Sequence, residues 1–279
     1  MRPANRLTPF EPTHPTLQAP LETGLLTGQG EGERRIREAH GKPGPFGRVV
    51  KRLTSWCLDF LFPRVCLGCR TEGSFFCQAC QSRLVYSAPR CPVCSKRNFT
   101  GILCGPCRER IGLRRFFAPF SYRTPVIRDL IRAYKFEGVR ELAASFADMI
   151  AAYLAFYEIR LPASTIFVPI PLHRRRERER GFNQSSLLAK ELALRFHCTI
   201  APVLRRPRWN TPQTEMESYE ARRKNVAGAF TVVDATAIRG RTAIIVDDVA
   251  ASGATLGEAA RLLRTHGAHT VWAITIAKS

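Results

Sequence analysis

Between Cys66 and Cys107 the chain spells CLGC, CQAC, CPVC and CGPC, four C-x-x-C pairs at Cys66/Cys69, Cys77/Cys80, Cys91/Cys94 and Cys104/Cys107. No other feature limits the fold as tightly. Two thiolates three residues apart, on tight turns supplied here by Gly68, Pro92, Gly105 and Pro106, occupy two corners of a tetrahedral zinc ion, and a second such knuckle completes it. Eight sulfurs therefore make two zinc sites, both structural because four thiolates leave no open coordination position. The rival reading is a disulfide framework, which goes with secretion, and the N-terminus lacks a basic start followed by an apolar run. Spacing leaves the pairing open between sequential ribbons and an interleaved cross-brace. Cys57, in SWCLDFLF, and Cys198, at the start of a strand, read as small core residues.

The rest of the 279 residues divides by composition. Residues 1–48 are rich in Pro, Gly, Thr and charge without a sustained period, and read as a disordered tail. Residues 49–115 read as a helical lead-in and a double zinc ribbon, and 116–279 as a larger domain. The longest uncharged apolar stretches, such as Met149 to Tyr157, fall well short of the roughly 20 residues of a membrane span, so the expectation is a soluble, cytoplasmic protein. A formal charge of +20, from 43 Lys plus Arg against 23 Asp plus Glu, implies a phosphate-rich partner: nucleic acid, a membrane surface or a polyphosphorylated small molecule.

From Tyr122 onward the pattern becomes helices and strands. Val126, Leu130, Ile131 and Tyr134 form one helical stripe, Gly138 interrupts it, and Leu142, Phe146, Met149, Ile150 and Tyr153 resume the period. Then follow the strand TIFVPIP, the helix SSLLAKELALRF, the strand TIAPVL, a polar stretch, GAFTVV, TAIIVDD, the helix TLGEAARLLRTHG and the strand TVWAITIA. Such alternation predicts an α/β domain, a mostly parallel sheet flanked by helices, with ligands at the carboxyl ends of its strands.

IIVDDVAASGATL, at Ile244 to Leu256, has the form of such a site. Three aliphatics of a central strand run into Asp247 and Asp248; Ala251 to Ala254 turn into a helix beginning near Thr255. A turn of small residues leaves backbone N–H groups convergent, and with the helix N-terminus they cradle a phosphate. Carboxylates repel phosphate but suit ribose hydroxyls or a magnesium shell. The motif predicts a phosphorylated sugar; a capped strand end with a glycine turn is the plainer alternative. HRRRERERGFNQ packs Arg174, Arg175, Arg176, Arg178 and Arg180 just past another strand, and guanidinium forks match phosphate oxygens in pairs. It reads as a pyrophosphate site or as a solvated charged loop. Lys135 reads as a phosphate ligand or a snorkelling lysine. His173 caps a turn, touches pyrophosphate or faces solvent. Arg205 to Asn225 reads as a long, mobile loop.

The ordered segments resemble the ComF family, double-zinc-ribbon proteins with a type I phosphoribosyltransferase-like domain, associated with competence and DNA uptake. The resemblance runs from about Leu61 to the C-terminus through the four knuckles, YKFEG at Tyr134 to Gly138, VPIPLHRRRERERGFNQ at Val168 to Gln184, TPQTEMESYEARRKNVAGAF at Thr211 to Phe230, and VDDVAASGAT. It implies that Asp247 and Asp248 bind the ribose hydroxyls of phosphoribosyl pyrophosphate (PRPP), and that Ala251, Ser252, Gly253, Ala254 and Thr255 hold its 5'-phosphate. The turn after VPIP, with Arg174, Arg176 and Arg180, receives the pyrophosphate, with Lys135 nearby. Gln213, Arg222, Arg223 and Asn225 match a hood closing over substrate. The family usually places two Thr before the glycine, where this chain has Ala251 and Ser252, at the cost of one phosphate hydrogen bond. The implied reaction is magnesium-dependent transfer of the phosphoribosyl group to an unidentified nitrogen acceptor with release of pyrophosphate, with Asp247, Asp248 and Arg180 as its catalytic residues. A PRPP-binding protein without turnover and a single-stranded-DNA-handling accessory with DNA-uptake partners are the alternatives. Phe116, Phe117, Phe120 and Tyr122 read as a seam between the domains, and Trp209 as a candidate ligand contact.

Overall fold

The computed structural model describes residues 63–208 and 219–279; the expectations for the tail, Cys57, Trp209 and Gln213 lie outside them. The described chain opens with the four cysteine knuckles, the second and fourth of which begin the helices α1 (Gln78–Gln81) and α2 (Gly105–Ile111). Next come β1 (Arg115–Phe117), β2 (Phe120–Ser121), α3 (Pro125–Phe136), α4 (Leu142–Phe156), β3 (Thr165–Pro169), α5 (Arg174–Arg180), α6 (Gln184–Phe196), β4 (Thr199–Ile200) and β5 (Leu204–Arg205). The chain closes with α7 (Tyr219–Val226), β6 (Thr231–Val232), β7 (Thr242–Ala250), α8 (Ala254–Thr265) and β8 (Thr270–Lys278).

One sheet runs β1-β8-β7-β3-β4, with β2 also on β8, and every pairing in it is parallel. Residues alternate between its faces, as the pleat requires. Phe167, Ile244, Val246, Trp272 and Ile274 join a core with α3, α4 and α6. Ile166, Val168, Ala243, Ile245 and Ala273 join a second core under α8. In α3, Leu130, Ile131 and Tyr134 of the expected stripe are fully buried, Val126 is half-buried against the same core, and Ile127 is fully buried beside them. TIAPVL does not form one strand. Pro202 has no N–H to give a ladder, and the chain leaves the main sheet after Ile200 to pair β5 with β6 in a separate antiparallel ribbon.

The eight sulfurs fall into two quartets, Cys66/Cys69/Cys77/Cys80 and Cys91/Cys94/Cys104/Cys107, each with its ligand atoms within 4.8 Å of one another. The pairing is thus sequential. Zn–S bonds of about 2.3 Å in a tetrahedron put sulfurs about 3.8 Å apart, and here Cys69–Cys77 is 3.6 Å and Cys94–Cys104 3.5 Å. Four such thiols cannot all ionise without a cation between them. Burial and then the neighbouring sulfurs push Cys80 up to about 12, while the Thr71 hydroxyl draws Cys69 down to about 6. These are two zinc-binding sites, each built from four cysteines.

Each quartet belongs to a different core. Cys66 and Phe76 lie in the core of α3, α4 and α6. Cys91, Leu103, Cys107 and Ile111 lie in the core of α8. The aromatic run expected to seam the chain divides the same way: Phe117 and Phe120 enter the first core, Phe116 the second. Among the described residues no helix is long and apolar enough to cross a membrane.

Candidate functional site

Strand β7 does not stop at the acidic pair. It runs on to Ala250 because β8 accompanies it to the Ala250–Lys278 register, whereas β3 ends at Pro169 opposite Val246. Asp247 and Asp248 therefore stand on the step where one neighbouring strand has given out and the other has not. The turn that follows is shorter than the sequence implied: Gly253, at φ 79°, is the N-cap and α8 begins at Ala254. Only a residue without a Cβ holds that left-handed conformation cheaply.

The start of α6 holds the two carboxylates. Asn183 caps that helix, its Oδ1 accepting from the N–H groups of Ser185 (2.9 Å) and Ser186 (3.2 Å), while its Nδ2 donates to Ile170 O (3.0 Å). The cap aims the next two side chains at the acids: Gln184 Nε2 donates to Asp248 (2.7 Å) and Ser185 Oγ to Asp247 (3.0 Å). Tyr134, fully buried in α3, fixes the same turn by donating to Gln184 O at 2.6 Å. Beside it on α3, Lys135 Nζ lies 2.8 Å from Asp248. Asp248 is thus buried and satisfied. Asp247 is half-buried, and burial together with the charge of Asp248 pushes its carboxyl up to about 7, against the pull of Lys135.

The folded chain holds a proton on Asp247 that the unfolded chain has already released, so stability falls as pH rises from the ordinary carboxylate range to about 7 and is level above. Asp247→Asn removes the burden, and its melting temperature should exceed that of the parent by several degrees at pH 8 and by less at pH 5. Equal differences at the two pH values would contradict this account.

The arginine segment forms a helix, not a loop. His173 caps it, its Nδ1 accepting from Arg175 N at 3.2 Å, and Gly181 ends it at φ 78°. Arg180 donates to Gln184 Oε1 and lies 5.2 Å above the ring of Phe136, which is 73% exposed. Burial lowers the Arg180 pKa while Asp248 and Asp247 oppose that.

A hollow of about 950 Å³ is lined by Lys135, Arg176, Arg180, Arg222, Asp248 and the turn at Ala251, Gly253, Ala254 and Thr255; Asp247, beside Asp248 in the strand and bonded to Ser185, is not part of that lining. Of its three acids, Asp248 is paired with Lys135 and Glu179 with Arg175, and Glu137 lies at the end of α3. Ser252 is turned away from this lining, its Oγ enclosed and without a hydrogen-bond partner among the described residues. Arg174 stands in a different hollow, beside His173, Arg205 and Arg206. Arg222, Arg223 and Asn225 sit on α7, not on a loop, because EARRK is a run of good helix formers. Arg222 faces the main hollow; Arg223 and Lys224 face a basic groove against α2 and α8. Arg206 was not singled out by the sequence. Half-buried, it lies 5.5 Å over the ring of Phe230 with an enclosed Nε lacking a partner among the described residues, and burial and then Arg176 lower its pKa.

Comparison with known proteins assigns residues 183–279 to the phosphoribosyl transferase domain and residues 57–111 to the double zinc ribbon domain. The chain is 30% identical over 217 residues to the DNA utilization protein YhgH of Salmonella typhi, covering 75% of this chain and 94% of that protein. It is 28% identical over 212 residues to the competence protein ComFC of Bacillus subtilis (73% and 84% covered), and 27% identical over 218 residues to competence protein F of Haemophilus influenzae (74% and 87%).

Proposed function

The chain belongs to the ComF family, with a phosphoribosyltransferase-like domain behind two zinc ribbons, and from that premise we propose that its hollow binds PRPP and transfers the phosphoribosyl group to a nitrogen acceptor. The observation that carries the reading is the convergence, on one hollow, of a buried carboxylate, three guanidinium groups and a glycine-capped helix N-terminus. Asp247 and Asp248 accept hydrogen bonds from the ribose hydroxyls. The N–H groups from Ala251 to Thr255 take the 5'-phosphate, as helix N-termini do. Arg180 and Arg176 receive the pyrophosphate, Lys135 sits between the acids and that end, and Arg222 closes from α7.

Magnesium fits this donor set. Asp247 and Asp248 would hold the ion, and since Asp248 already carries Lys135 and Gln184, an ion that needs only one or two protein carboxylates would suit them. Bound with PRPP it would spread the charge of the leaving group. The chain's own part is electrostatic positioning: the carboxylates hold the ribose as its anomeric carbon becomes cationic, and Arg180, half-buried and stacked, neutralises the departing oxygen where water screens least. No side chain acts as nucleophile.

Calorimetry of the zinc-loaded protein should show saturable PRPP binding that needs magnesium. Pyrophosphate release on adding a nucleobase then separates an enzyme from a binder without turnover. No heat with folded, zinc-replete protein would refute the proposal. A second reading, single-stranded DNA handling, is favoured by the groove lined by Arg110, Arg223, Lys224, Arg261 and Arg264, and by the printed names of the relatives. Its mark is a DNA affinity that falls linearly with log salt.

A further inference from the structure

The phosphate turn does not stand alone. Gly253 lines the hollow and also abuts the second zinc ribbon: a Cβ placed there would sit 3.6 Å from Pro92 Cβ and 3.7 Å from Ile111 Cδ1. One helical turn on, Gly257 lies against the same side chain, and a Cβ there would come within 3.1 Å of Ile111 Cβ and 3.3 Å of its Cγ2. Ile111, 3% exposed, is the last residue of α2, whose Cys107 is a ligand of the second quartet, and Pro92 stands between the ligands Cys91 and Cys94. The first quartet makes no such approach, since Cys66 and Phe76 pack in the core of α3, α4 and α6.

A turn made of Ala, Ser and Gly has little side-chain packing of its own, and glycine loses the most conformational freedom on being fixed. Amide groups that must converge on one phosphate need to be held within about 0.5 Å, which requires a wall of packed side chains behind them. We propose that Ile111, seconded by Pro92, is a positioning residue for the phosphate turn, so that the second zinc ribbon and not the first sets affinity for the 5'-phosphate end of the ligand. The proposal rests on the PRPP reading and adds to it a division of labour: one ribbon serves the phosphate turn, the other the helical layer on the far side of the sheet. Zinc at the second quartet acts through Cys107 by fixing α2, and α2 in turn fixes Ile111.

The test uses the full chain and two probes, ribose 5-phosphate and inorganic pyrophosphate, each titrated by calorimetry with the zinc content measured alongside. In Ile111→Ala, affinity for ribose 5-phosphate should fall about tenfold, as small misplacements of binding groups do, while pyrophosphate affinity and two zinc ions per chain are retained. Ile111→Val, which keeps the branched Cβ, should restore most of the loss. Gly257→Ala leaves Ile111 in place but presses a methyl group against it, and should show the same selective loss should Ile111→Ala not fold. Phe76→Leu, in the first ribbon's core, should leave both affinities alone. Equal loss for both probes, unchanged ribose 5-phosphate affinity in Ile111→Ala and Gly257→Ala, or an equal effect of Phe76→Leu would overturn the proposal. Parent protein that binds neither probe would remove the sugar-phosphate reading and this proposal with it.

Discussion

Asp248→Asn should abolish PRPP binding, with at least about a 100-fold loss by calorimetry, the equivalent of roughly 3 kcal/mol. The size follows from where the carboxylate sits. It is 4% exposed, 2.8 Å from Lys135 Nζ and 2.7 Å from Gln184 Nε2. An amide there leaves the ammonium without its counter-charge and presents a donor to groups that donate. Each hydrogen bond from a sugar hydroxyl to a charged acceptor contributes about 1.5–3 kcal/mol, so losing two reaches the stated figure. The variant's circular dichroism should match that of the parent, and wild-type affinity in a folded Asp248→Asn protein would dismiss the acid pair as the sugar site.

Removing zinc should be the more damaging change to the fold itself. Between residues 63 and 111 the regular structure amounts to α1, α2 and isolated bridges such as Val65–Glu72 and Arg90–Arg97. Segments this short hold a shape only because metal ligation supplies the folding energy, on the order of 10–16 kcal/mol in small zinc peptides. Chelation should lower the melting temperature by at least about 10 °C, given some 2–4 °C per kcal/mol at this size. The two quartets should not respond alike to single changes: Cys107→Ser, at a ligand buried in the core of α8, should cost more than Cys69→Ser, at an exposed one. A chelated protein that melts like the parent would show that the ribbons stand without metal.

The sequence disclosed those parts of the site whose residue types carry their own geometry. Knuckle spacing specifies a metal, aliphatics followed by acids specify a strand end, and a glycine turn specifies a helix start. What it could not disclose were partnerships across the chain. That β7 continues through the acids depends on β8 outlasting β3, a fact about two other strands. Gln184 merely ended the arginine stretch and Ser185 merely began a helix; their bonds to Asp248 and Asp247 span 64 and 62 residues. Arg206 was one arginine in a polar stretch until Phe230 and Arg176 closed around it. The break inside TIAPVL is signalled by Pro202 and the helix at Tyr219–Val226 by its composition, local signals masked by the apolar run and the polar stretch in which they lie.

The distribution of the two quartets between the two cores bears on how such a protein can be dissected. A polypeptide begun just past Ile111 would keep the whole parallel sheet yet lose Cys66, Phe76, Cys91, Leu103 and Cys107, which line its two sides. Both wounds would be greasy, and such a fragment would clump, so the sheet-bearing half has no independent life apart from its metal-bearing companion.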